Sequence, residues 1–272
     1  MRVSILSDEI SRDPLSACEL AAEWGLRHLE FRTYMKSRAP RDMSDSDMAA
    51  VARAASDFGL DFPSVSPGLF KVRMDDPTIG EHRGTFRQRC FDLAEALGAS
   101  TVVAFPPVRA EGHDWSDWPA QVVDDLRETA ELAQQRGMTI ALENEPVCYA
   151  GTGQTLAALL EEVNHPALRA NWDPGNHCSA TREDFRAGYA ALRGKLAHCH
   201  VKDCMWDANG NRRTVPPGEG SVDWLGQLQA LVADGYDGLL VLETHFQPKI
   251  AGSRACFERI CELLRQVGEP VE

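Results

Sequence analysis

Short apolar runs of β-forming residues alternate with amphipathic stretches of helical period along the whole chain, and this alternation limits the folds open to it. Strand-like runs fall at 3–6, 28–31, 62–66, 101–105, 139–143, 169–173, 197–202 and 239–243. Between them, apolar positions recur at helical spacing over 48–58, 86–97, 122–135 and 156–163, and a final helical stretch covers 256–267. Gly25, Gly59, Gly98, Gly137 and Gly235 stand just past helical stretches, where a backbone of positive φ is wanted. Eight such strand–helix units in 272 residues predict an α/β chain that closes into one (β/α)8 TIM barrel, a single domain over 1–272. The rival, a doubly wound open sheet, lacks its Gly-rich phosphate fingerprint after the first strand. The loops at 106–118 and 203–220 are long and rich in Pro, Gly or charge, which suits active-site loops.

Charge and hydropathy narrow the partners. With 28 Lys+Arg against 41 Asp+Glu the formal net charge is -13, a poor match to a nucleic-acid polyanion, so no nucleic-acid partner is expected. No apolar run approaches the roughly 20 residues that span a bilayer, and the opening MRVSILSDEI has no signal-peptide pattern. The expectation is a cytoplasmic protein with no membrane partner. Eight scattered Cys without a CxxC pair suit reduced, buried thiols rather than a disulfide framework.

In a barrel of this kind chemistry belongs at the C-terminal ends of the strands. The fifth strand ends in ALENEP with Glu143 and Glu145, and the sixth in NWDPGNH with Asp173, Asn176 and His177. The seventh ends in HCHVKD with His198, His200, Lys202 and Asp203, and the eighth in LETH with Glu243 and His245. Carboxylates crowded at one mouth repel one another and lose hydration, so they need a counter-charge. Lys202 is the main cation beside them. A divalent cation would compensate the rest, and an oxygen-rich set with one nitrogen suits Mn2+ first, with Mg2+, Co2+ or Zn2+ as alternatives.

The motifs ALEN, NWDPGN, HCHVKD and LET, in this order at four strand ends, resemble the sugar phosphate isomerase/epimerase family of xylose isomerase-like barrels. Carried over by position, the resemblance implies one divalent metal ion on Glu143, Asp173, His200 and Glu243, with Glu143 and Glu243 doubling as the acid/base pair. It implies an enediolate reaction next to a carbonyl of a small polyhydroxylated substrate. Two positions depart from the ketose 3-epimerases of that family. Asn176 stands where they carry a His three residues after the Asp ligand, and Trp206 where they carry an Arg six residues after the His ligand.

The remaining candidates are substrate contacts: Glu145, Asn176, His177, Lys202, His245 and Trp206 around the second-half strand ends, and Glu30 and Arg32 at the end of the second strand. His198 is expected one layer deeper than His200. Gly218 and Gly220 are expected in turns, and Asp223 as a helix cap. The main alternative is a metal-dependent dehydratase of a keto-polyol such as a keto-inositol or a 3-keto sugar, with His177 or His245 as general acid. An abasic-site endonuclease is disfavoured by acidity and by Ser66 and AFPP, which lack first-half zinc ligands. A non-catalytic sugar-binding protein is a further class. Homo-oligomers occur in the family, and the sequence leaves this open.

Overall fold

The computed structural model describes residues 1–270. Eight parallel strands form the barrel: β1 Arg2–Leu6, β2 His28–Phe31, β3 Asp61–Leu69, β4 Thr101–Ala104, β5 Thr139–Glu143, β6 Leu168–Trp172, β7 Leu196–Val201 and β8 Leu239–Leu242. Each pairs with its sequence neighbour, and β1 closes the ring against β8. The outer ring comprises the helices Pro14–Glu23, Asp45–Asp57, Thr85–Leu97, Ala120–Gln135, Gly153–Val163, Phe185–Leu192, Trp224–Ala233 and Lys249–Gln266. The expected (β/α)8 barrel is therefore the fold.

Local chemistry sets the element ends. Asp13 caps the first outer helix through the Ser16 amide, with Pro14 at the first helical position, where its missing N–H costs nothing. Ser44 and Asp47 form a reciprocal capping box. Gly98 ends the helix before β4 in the left-handed region, at φ 73°. Asp223 is the cap expected of it, accepting the Gly226 amide at 2.9 Å.

Alternation along the strands separates two environments. Cys199 and Val201 of β7 face the helices and join the main apolar core, which also takes Ile140, Leu142, Ala170, Trp172, Leu240 and Leu242. The opposite parity faces the barrel axis. There Val103 and Ala141 form one small apolar cluster and Leu6, Leu239 and Val241 another. Much of the remaining axis is polar and buried: Ser4, Glu30, Ser64, Asn171, His198 and His200 are each at most 1% exposed. Buried polar groups in such number require partners, and these build the site.

Two hairpins ornament the C-terminal mouth. One pairs Thr33–Tyr34 with Ser37–Arg38; the other pairs Asp203–Trp206 with Arg212–Val215. The second gives structure to the long 203–220 loop. Asp203 anchors it by accepting four backbone amides, from Cys204, Gly218, Gly220 and Val222, at 2.8–3.1 Å. A Cβ on Gly220 would collide with that carboxylate, so a side chain there is excluded by the close approach. All eight Cys are free and buried. Among the described residues no helix is long and apolar enough to cross a membrane.

Candidate active site

Four consecutive strands deliver the central cluster. Glu143 ends β5, Asp173 follows β6 as the cap of the helix Pro174–Thr181, His200 lies on β7, and Glu243 follows β8 directly. One ligand atom from each of these four lies within 4.8 Å of the others. The expected ligand set is thus brought together in space.

Each member is held by a neighbour. Glu143 accepts from Asn176 Nδ2 at 3.0 Å and from Asn171 Nδ2 at 3.2 Å. Asn144 clamps the backbone of Asp173: its amide nitrogen donates to the Asp173 carbonyl and its oxygen accepts the Asp173 N–H, both at 2.9 Å. Pro174 and Gly175 open the helix behind Asp173. A Cβ on Gly175 would come within 2.7 Å of the Lys202 backbone oxygen, which explains a residue without a side chain there. His200 contacts Glu30 Oε1 through Nε2 at 3.0 Å, leaving Nδ1 3.2 Å from Glu143 and 3.6 Å from Glu243.

The electrostatics show a shortage of positive charge. Burial pushes Asp173 up to about 6; Lys202 opposes the rise, while Glu143 and Glu243 add to it. Lys202 Nζ lies 2.9 Å from Asp173 and 2.7 Å from Glu243. Burial would discharge this ammonium, but the carboxylates hold its pKa well above the ordinary value. For His200, burial is likewise outweighed by Glu143 and Glu30, which raise it. His200 Nδ1 is buried without an aligned hydrogen-bond partner, and Asp173 Oδ2 is met only by the Lys202 ammonium. Three carboxylates and one imidazole, with a ligand atom of each within 4.8 Å of the others, fit a divalent cation.

The other expected site residues are placed unevenly. Lys202 joins the cluster. His245, exposed at the mouth, sets Nε2 3.3 Å from Glu243 and Nδ1 3.2 Å from Glu9; both contacts raise its pKa. Glu145 is half-buried at the rim, paired with Lys71 at 2.6 Å. Asn176 reaches Glu143, as described. Trp206 lies in the hairpin beneath Arg182, whose guanidinium stands 3.8 Å from the ring centroid.

Three expected substrate contacts have other partners. Glu30 is fully buried and bound to His198 Nε2, His200 Nε2 and the Ser64 hydroxyl, so it has no edge toward the mouth. Arg32 is consumed by Asp8, Glu9 and Glu243, with Nε and Nη2 each at 2.8 Å from the first two. His177 points away from the cluster. Its ring packs against Trp172 with centroids 5.4 Å apart, and its Nδ1 accepts the Gly153 amide at 3.4 Å. One helical step of about 100° separates it from Asn176 and turns it to the outer layer.

Sequence reasoning passed over Asp8, Glu9, Asn144, Asn171 and Lys71. The strand-end rule applied to β1 would have exposed Asp8 and Glu9, which follow Leu6 in a buried turn of helix, Ser7–Ile10. Burial would raise the Glu9 pKa, but His245 and Arg32 bring it down to about 2.

Fold and site together define a (β/α)8 barrel with a cluster of carboxylates and an imidazole at its C-terminal mouth that could hold a metal ion. The profile of the xylose isomerase-like TIM barrel family matches residues 18–268, and the chain belongs to that family. The resemblance to sugar phosphate isomerases and epimerases is thereby borne out. The L-ribulose-5-phosphate 3-epimerase UlaE of Salmonella typhi is 22% identical over 207 residues, covering 74% of this chain and 71% of the epimerase. An inosose dehydratase of Geobacillus thermodenitrificans is 25% identical over 144 residues, 48% of either chain, so this chain spans about half of that relative. The crystal structure of the IolI protein with a bound zinc atom superimposes with a TM-score of 0.79 at 20% identity, covering 98% of this chain and 99% of that one. That likeness shows the shared fold.

Proposed function

We propose that this chain is a divalent-metal-dependent isomerase or epimerase acting next to the carbonyl of a sugar or sugar-like polyol. The observation that carries the proposal is the placement of Glu143 and Glu243. They come from β5 and from the end of β8, with β6 and β7 between them, yet both offer an oxygen to the same small space. Glu143, Asp173, His200 and Glu243 would hold the ion, with Mn2+ preferred for an oxygen-rich set with one nitrogen and Mg2+, Co2+ or Zn2+ as alternatives. When bound, such an ion polarises a ketone or aldehyde and stabilises the enediolate left by proton abstraction.

The protein supplies the proton transfers. Glu143 and Glu243 act as the acid/base pair, on opposite faces of the substrate when the outcome is epimerisation. Asn171 and Asn176 fix Glu143, and Lys202 and Arg32 fix Glu243, so neither carboxylate is free to turn away. Lys202, Glu145 and His245 are the groups at the mouth that would meet the oxygens of a small-molecule substrate.

A second reading rests on His245. It is exposed, stands 3.3 Å from Glu243, and has a raised pKa that keeps a proton available. A general acid there suits loss of a β-hydroxyl from the same enolate, and a dehydratase is among the relatives. Incubation of the Mn2+-loaded protein with a panel of ketoses and keto-polyols in D2O separates the readings. Deuterium incorporation without loss of water is the result expected of an isomerase or epimerase; loss of water favours the dehydratase. Glu143→Gln and Glu243→Gln should each slow exchange by about 10²–10⁴. No exchange and no water loss across the panel would contradict both.

A further inference from the structure

Across the ring from β8, the loops that follow β3, β4 and β5 wall the mouth. Backbone bonds knit them together: Phe105 donates its amide to the Leu69 carbonyl at 3.0 Å, Val108 to Val72 at 2.9 Å and Tyr149 to Pro107 at 3.0 Å. On this wall Lys71 sets Nζ 2.6 Å from Glu145 Oε2 and 4.3 Å from the centroid of the Phe105 ring. Three neighbouring strand ends each supply one member of the group.

The chain accepts backbone strain to bring the lysine there. Phe70 holds a left-handed φ of 62°, an outlier for a bulky residue. Its ring is fully buried and its amide donates to His82 Nδ1 at 2.8 Å, so the conformation is fixed from two sides. Strain of this kind persists only where the surroundings over-determine it, and it concentrates at ligand sites. Glu145 is fixed by its own turn, in which its carbonyl accepts the Cys148 amide at 2.9 Å. It follows Glu143 by two residues, so their Cα atoms stand at most about 7 Å apart and the pair lies beside the cluster.

Neither group is saturated. An ammonium can donate three hydrogen bonds. Among the described residues Lys71 makes only the bond to Glu145, and the Glu145 carboxylate accepts no other. Their side chains are 32% and 16% exposed, so the spare capacity is open to the mouth. A donor and an acceptor thus stand side by side, and together they carry no net charge. A matching ligand accepts at one atom, donates from its neighbour and is neutral there, because an anion would face the Glu145 carboxylate. A vicinal diol meets these conditions.

We propose that Lys71 and Glu145 form a specificity-determining diol site, in which Lys71 donates to one substrate hydroxyl and Glu145 accepts from the adjacent one. The inference rests on the isomerase or epimerase reading for the carbonyl at the cluster, and it assigns to the substrate an unphosphorylated vicinal diol beyond that carbonyl.

The test is ligand-observed NMR titration in excess Mg2+, on wild type, Lys71→Met, Lys71→Arg and Glu145→Gln. The probes are ketohexoses, myo-inositol and dihydroxyacetone, the last being a hydroxyketone without a vicinal diol. At least one diol-bearing probe should bind wild type and lose about 10- to 100-fold in affinity in Lys71→Met and in Glu145→Gln, with part restored in Lys71→Arg. Dihydroxyacetone should not distinguish the four proteins. Diol affinity equal to wild type in Lys71→Met or Glu145→Gln, an equal loss for dihydroxyacetone, or no diol binding to wild type overturns the proposal. Exchange in D2O on the same samples keeps the two ideas apart. Should exchange be absent while the variants lose diol affinity, the isomerase or epimerase reading fails and the diol site stands.

Discussion

Glu30 lies 3.0 Å from Nε2 of His200, while Nδ1 of the same ring faces Glu143 and Glu243. The carboxylate thus sets the orientation of the imidazole from below. Burial alone would raise the Glu30 pKa, but His198 and His200 hold it well below the usual carboxylate range. A buried anion on one ring nitrogen fixes the tautomer and strengthens the other nitrogen as a ligand.

Glu30→Gln should therefore weaken divalent-metal binding by about 10–100-fold, while Glu30→Asp should restore part of it. Competition against a chromophoric chelator reads this directly. Metal affinity equal to wild type in Glu30→Gln would contradict the orienting role.

Gly175 tests how tightly Asp173 is seated. A Cβ there would meet Lys202 Cγ and the Lys202 carbonyl oxygen, each at 2.7 Å. Gly175→Ala should cost about 1–3 kcal/mol of stability through overpacking and should weaken metal binding as well. Gly80, in the helix Ile79–Arg83 with open space at its Cβ position, is the control. Gly80→Ala should be neutral or stabilising by up to about 1 kcal/mol. Urea denaturation of both variants checks the contrast.

His82 gives the fold a defined acid sensitivity. Its Nδ1 accepts the Phe70 amide at 2.8 Å, so the folded protein needs the neutral ring. Burial first, and then the Arg41 charge, lower its pKa from 6.5 to about 4. Between those values the unfolded chain binds a proton that the native state refuses, so stability falls as pH drops from 6.5 toward 4. Urea midpoints across that window should decline less steeply in His82→Gln than in wild type. Parallel declines would remove His82 as the cause.

The strand ends were legible because alternation fixes which residues face the barrel axis, and the last such residues of β5 to β8 are ionisable. Parity carries no information on depth or partners. Glu30 and Arg32 share the inward face, yet both are engaged by groups that sequence alone does not bring near, His198 and His200 for one and Asp8 and Glu9 for the other. His177 adjoins Asn176 in sequence and is turned about 100° from it toward Trp172, because a helix rather than a strand follows Asp173.

The central claim is that Glu143, Asp173, His200 and Glu243 hold one divalent ion. Metal content by inductively coupled plasma mass spectrometry, on wild type and Asp173→Ala purified without chelators and then incubated with Mn2+, tests it most directly. One ion per chain in wild type, absent from Asp173→Ala, is the predicted result. Wild type without metal, or an Asp173→Ala variant that retains it, would contradict the account.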